Sequence, residues 1–153
     1  MRIRADEHVS LGIVHMVRDL ALSAPFELTS VYETAQRGTD DAYWVTQFAD
    51  DGGDAILTAD TDFFKKPHQV VAIYRTGLRV IYLPPKWANA QRHLQAAHIL
   101  MWWRRIAQKL LDANPREVWV VKWNVSEDGD LERKKVNYAE AHKKLRKANR
   151  RSI

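Results

Sequence analysis

The 153-residue sequence predicts an α/β fold, a mainly parallel central sheet flanked by helices and closed by a C-terminal antiparallel hairpin and a basic terminal helix. Three observations predict it. Short apolar runs alternate with helical stripes through most of the chain, the pattern of parallel strands joined by crossover helices. Two of these runs end in acids, Ile3-Arg4-Ala5-Asp6-Glu7 and Leu57-Thr58-Ala59-Asp60-Thr61-Asp62, at the strand ends where such sheets place their chemistry. Asp128-Gly129 is a tight hairpin dipeptide between two extended segments.

Residues 2–6 read as the first strand, and Ser10 then caps a helix with Ile13, Val14, Val17, Leu20 and Ala21 on one face. Pro25 ends that region, and the alternation of 26–32 fits a second strand. Gly38-Thr39-Asp40-Asp41 supplies a turn and a helix start. Trp44, Val45, Phe48 and Ala49 form the next apolar stripe, which stops at Gly52-Gly53. A third strand spans 55–59, a short helical or irregular piece spans 61–75, and Gly77 introduces a fourth strand over 78–83 that Pro84-Pro85 stops. The longest helix covers about 89–113, with Ile99, Trp103, Ile106 and Leu110 at helical spacing. The segment 118–123 is apolar on both faces and reads as a fully buried strand. Residues 131–136 return antiparallel after the hairpin, and a basic helix starts near Tyr138.

Composition bounds the partners. A hydrophobic fraction of 46% supports a proper core, and the absence of cysteine excludes disulfides and thiolate metal sites. With no signal peptide at its start and no apolar stretch longer than 99–103, the chain is expected to be cytoplasmic and to have no membrane partner. The formal charge of +5 is uneven: from Asp130 onward there are nine Lys or Arg against three acids, and 15 against 16 before it. This divides the chain into an α/β domain over 1–136 and a basic extension over 137–153. Lys143, Lys144, Arg146, Lys147, Arg150 and Arg151 form an electrostatic footprint of the kind phosphate backbones select, although a solvated helix face has the same composition.

If the first and third strands are neighbours, Asp6, Asp60 and Asp62 converge, and carboxylates brought that close repel one another unless a cation lies between them. Hard divalent ions with oxygen ligands suit such a cluster. Taken singly, each acid is a common cap or turn residue. Taken together, Asp6 after the first strand, Asp40-Asp41 opening a helix and Thr58-Ala59-Asp60-Thr61-Asp62-Phe63 after the third strand resemble the PIN-domain nucleases. The likeness is to the small PIN-like group with Asp-Glu at the first strand and a Thr-x-Asp-x-Asp-Phe signature, and it covers about 2–136.

That resemblance implies a PIN-like three-layer sandwich and a ribonuclease that cleaves single-stranded RNA with Mg²⁺ or Mn²⁺. It also implies a homodimer and, as in toxin–antitoxin pairs, an antitoxin protein as partner. Asp6, Asp41, Asp60 and Asp62 match the catalytic and metal-binding acids, with Asp40 as cap or ligand. Thr58, two before the first acid of the signature, joins the basic residues as a nucleic-acid contact. The alternative is a catalytically inactive PIN-like module that binds RNA or protein. Asp60-Thr61-Asp62 also resembles the Asp-x-Asp of haloacid-dehalogenase-like phosphatases, but those carry it after their first strand. His93 and His98 do not share a helix face, and His8, beside the acids, reads as an ordinary loop histidine. The tandem Trp102-Trp103 suits either core packing or a side exposed for dimerisation.

Overall fold

In the computed structural model, which describes residues 1–151, the first apolar run forms β1 (Arg2–Ala5) and pairs in parallel with β2 (Glu27–Ser30) and β3 (Ala55–Thr58). Beyond β3 lie β4 (Arg79–Tyr82), also parallel, then β5 (Val118–Val120), and at the edge the antiparallel β6 (Glu132–Lys134). The strand order is β2-β1-β3-β4-β5-β6, so the two strands that end in acids are central neighbours. Their register sets Ile3 against Ala55 and Ala5 against Leu57.

Strand alternation divides the core. Ile3, Ala5, Leu57 and Ile81 face α1 (Leu11–Leu20), α4 (Pro85–Ala88) and α5 (Arg92–Asp112), whereas Ile56, Val80 and Tyr82 face α2 (Asp41–Asp50) and α3 (Pro67–Thr76). The result is three layers, helix on sheet on helix. Ser10 caps α1 as expected, its hydroxyl accepting from the Ile13 amide at 3.3 Å. The last helix, α6 (Tyr138–Arg151), lays Ala141 and Leu145 against Val70 and Val71 of α3. Its basic residues point outward. The end of the basic extension, at 152–153, lies outside the described residues. No helix among the described residues is long and apolar enough to cross a membrane.

One expectation left open is decided, and two need correction. The segment 61–75 is well ordered: a 3₁₀ turn at Phe63–Lys65 leads into α3, with Pro67 in its first turn and Gly77 as a left-handed C-cap at φ 75°. The long helix starts later than 89, because Trp87 and Gln95 bond reciprocally and separate α4 from α5. The Trp87 indole donates to the Gln95 carbonyl at 3.0 Å, and the Gln95 amide donates to the Trp87 carbonyl at 2.8 Å. The strand expected over 118–123 stops at Val120, and of its run only Val118 and Val121 are buried, since its outer neighbour is the three-residue edge strand β6. Trp123 instead stacks on His98 at 5.0 Å. Trp102 and Trp103 are both core residues, and Met101 alone of that run is largely exposed.

Gly53 is required where α2 turns into β3. A Cβ there would lie 2.4 Å from the Phe48 ring, which is fully buried, with the Arg4 guanidinium 4.5 Å above it. The ring has nowhere to move. Gly53→Ala is therefore expected to destabilise the protein by ~1–3 kcal/mol, the usual cost of overpacking. Urea unfolding measures it, and a variant as stable as wild type would show that the α2–β3 corner yields.

Candidate metal and catalytic site

The parallel pairing of β1 with β3 brings two chain segments fifty residues apart to one place. The Asp6 amide extends the ladder to the Leu57 carbonyl at 3.0 Å, so its side chain emerges beside that of Thr58. The Thr58 hydroxyl donates to Asp6 Oδ2 and accepts from the Asp60 amide at 3.1 Å. One buried hydroxyl thus ties the first acid to the backbone of the second. Asp6 Oδ1 accepts from the His8 amide at 3.0 Å, and Asp60 Oδ1 from the Asp62 amide at 2.9 Å, each a local turn that fixes a carboxylate rotamer. Asp6 is 3% exposed and Asp60 6%.

Between them stands His8. Its Nδ1 lies 3.8 Å from Asp6 Oδ2 and its Nε2 lies 4.0 Å from Asp60 Oδ1, so both carboxylates face one imidazole whose side chain is half exposed. It lies in the turn after β1, as a loop histidine, and its approach to Asp60 was not foreseen. The available signal was its position two residues after a strand-end acid.

Asp41, the first residue of α2, is held by interior donors: the Trp44 indole reaches Oδ1 at 2.9 Å and the Gln69 amide reaches Oδ2 at 2.8 Å. Asp40 stays at the surface, 3.4 Å from His68. Gln69 was not foreseen, although it sits on the buried face of α3 one turn before Ile73, where an apolar side chain is the rule. Its Oε1 is buried without a hydrogen-bond partner. Asp62 points to solvent and pairs with Lys65 at 3.0 Å. Thr58, expected to contact nucleic acid, is fully buried and bonds inward to Asp6. Lys143, Lys144, Arg146, Lys147, Arg150 and Arg151 are exposed along α6.

Burial pushes the Asp6 carboxyl up to about 6; the bonds from Thr58 and His8 oppose this, and the charge of Asp41 adds to it. Burial also raises the Tyr82 hydroxyl, with the charges of Asp60, Asp62 and Asp6 contributing, and Tyr82 is the strand partner of Thr58. Among the described residues no group of three or more His, Cys, Asp or Glu side chains is arranged to hold a metal ion. Asp6 and Asp60 nevertheless provide two hard, desolvated oxygen donors on one small volume. That set fits Mg²⁺ or Mn²⁺, since Mg²⁺ typically takes one or two carboxylates and keeps several waters.

A family model described as a PIN like domain matches residues 1–85. The chain belongs to this family. The matched region runs from β1 through β4 and contains Asp6, Asp41, Thr58, Asp60 and Asp62, while α5, β5, β6 and α6 lie outside it. No curated protein and no solved structure shows a significant match. Membership in a PIN-like family makes a nuclease-type activity and a divalent metal the expected chemistry of this edge.

The Asp6 shift has a consequence for stability. As pH rises from 3.8 towards about 6, the unfolded chain releases this proton before the folded one does, so stability present at low pH is lost across that window. A shift of this size corresponds to about 3 kcal/mol. In chelator, the melting temperature of Asp6→Asn should rise above that of wild type as pH increases through this window, by roughly 6–12 °C at the plateau. Scanning fluorimetry at stepped pH reads this directly, and a difference that does not change with pH would contradict it.

Proposed function

We propose that the protein is a Mg²⁺- or Mn²⁺-dependent ribonuclease that cleaves single-stranded RNA to 5′-phosphate and 3′-hydroxyl products. The observation that carries the reading is the convergence of Asp6 and Asp60, from two adjacent strand ends, on either side of His8. When bound, the divalent ion supplies the activation of water and the neutralisation of charge on the phosphate oxygens. Asp6 and Asp60 hold it. Thr58 fixes the Asp6 rotamer, and the turn bond from Asp62 does the same for Asp60. Asp41 and Asp62 act through water, and the Trp44 and Gln69 donors fix the Asp41 carboxylate. His8, in reach of both acids and half exposed, donates to a phosphate oxygen.

Lys143, Lys144, Arg146, Lys147, Arg150 and Arg151 supply phosphate contacts on the outward face of α6. In this reading the protein is a cytoplasmic homodimer and the toxin of a toxin–antitoxin pair, its basic face masked by an acidic antitoxin. A second reading, an inactive PIN-like module that binds RNA or protein, draws support from Asp41 and Asp62, whose oxygens are engaged by Trp44, Gln69 and Lys65.

One assay separates the two. Cleavage of a labelled single-stranded RNA in Mg²⁺ should fall more than roughly 100-fold in Asp60→Asn, beyond the ~10–100-fold expected for Asp62→Asn as an outer partner. Circular dichroism should be unchanged in both. Equal cleavage in EDTA and in Mg²⁺ would reject the metal-dependent nuclease, and no cleavage by wild type under either condition would favour the binding module.

A further inference from the structure

Lys65 has a second position besides its pair with Asp62. It lines a cleft of about 430 Å³ between the 3₁₀ turn, β6 and the start of α6. Lys134, Lys135 and Lys144 complete the rim, whose one acid, Glu140, is already paired with Lys144 at 3.1 Å. Phe64, Val70 and Val136 form an apolar floor. The Phe64 ring meets the Tyr82 ring edge to face at 5.3 Å, Tyr82 is the strand partner of Thr58, which bonds Asp6, and Lys65 pairs with Asp62, so the cleft adjoins the carboxylate edge. Most of this rim lies beyond residue 85, outside the region that the family model matches.

We propose that this cleft seats one nucleotide of the substrate strand next to the cleavage point, its phosphate held by Lys65, Lys134 and Lys135 and its sugar against Phe64 and Val136. The inference rests on the ribonuclease reading and adds to it a path for the RNA. Charge complementarity selects the occupant: with Lys144 paired to Glu140 and Lys65 to Asp62, the charges of Lys134 and Lys135 remain in excess, and the rim repels cations and basic peptides and attracts a polyanion. The apolar floor selects further, because a sugar or base has a face to lay on it, and single strands bind by combining backbone charge with such surfaces. The volume lies in the ~300–1,000 Å³ range of small-ligand sites. The Lys134 ammonium lies over the Phe64 ring at 5.6 Å, above the apolar floor.

The test measures binding without cleavage. Fluorescence anisotropy of a labelled single-stranded oligoribonucleotide is followed in EDTA across a salt series, for wild type and for Lys134→Ala/Lys135→Ala. Both residues are exposed on the edge strand or just after it, and Lys134→Gln/Lys135→Gln repeats the measurement with side-chain length kept. The expected result is weaker binding with a log affinity against log salt slope shallower by about 0.7–1.4, one or two phosphate contacts on a single strand. Circular dichroism should be unchanged, since both side chains are exposed. If wild type binds and cleaves RNA but the variants keep its slope, the cleft is overturned and the nuclease reading stands. If wild type binds no RNA in EDTA and cleaves none in Mg²⁺, both fall together.

Discussion

Burying a carboxyl group at the end of a central strand is costly, and Asp6 is buried there almost completely. The surrounding structure reduces that cost without removing it. The β1–β3 register delivers the Thr58 hydroxyl to one oxygen, and the turn after β1 delivers the His8 amide to the other. Even so, the carboxyl holds its proton up to about 6. A group satisfied on both oxygens yet still disfavoured as an anion is poised for a cation, and perturbed carboxyls in such positions concentrate at functional sites. Asp60 doubles the demand by bringing a second buried carboxylate to the same imidazole.

The acids are graded from inside to outside, and the grading follows their elements. Asp6 and Asp60 leave buried strands, Asp41 opens a helix and is steered by Trp44 and Gln69, and Asp62 sits on an exposed turn with Lys65. From Lys65 onward the sign of the surface changes, through Lys134, Lys135 and Lys144 to the outward face of α6. A phosphodiester strand bound as proposed would meet lysines first and acids last. For the proposed reaction that order separates holding the strand from acting on it.

Much of this was legible in the sequence because the signals were periodic or positional. The alternation of strands and helices, the Ser10 cap, the stripe from Trp44 to Phe48, the antiparallel return of the last strand and the two acidic strand ends each follow from local chemistry and recur in the structure, although the segment 121–131, not a tight Asp128-Gly129 turn, joins β5 to β6. What the sequence hid depends on tertiary partners. Helix α3 carries a weak stripe because its buried face includes Gln69, a polar residue that makes sense only opposite Asp41. His8 looked like a loop residue because its meaning lies in Asp60, fifty-two positions away. Thr58 was expected as a nucleic-acid contact in its motif, whereas strand pairing turns its hydroxyl inward to Asp6. The tryptophans at 102 and 103 suited core or interface equally until α4 and α1 were seen to cover them.

The central claim is that Asp6 and Asp60 jointly hold a divalent cation. Crystals soaked in Mn²⁺ and measured at the manganese absorption edge test it most directly. The account predicts an anomalous peak between the two carboxylates, with His8 displaced from the position it takes beside them and most of the remaining ligands water. A peak elsewhere, or Mn²⁺ at millimolar concentration leaving His8 between Asp6 and Asp60 as before, would contradict it.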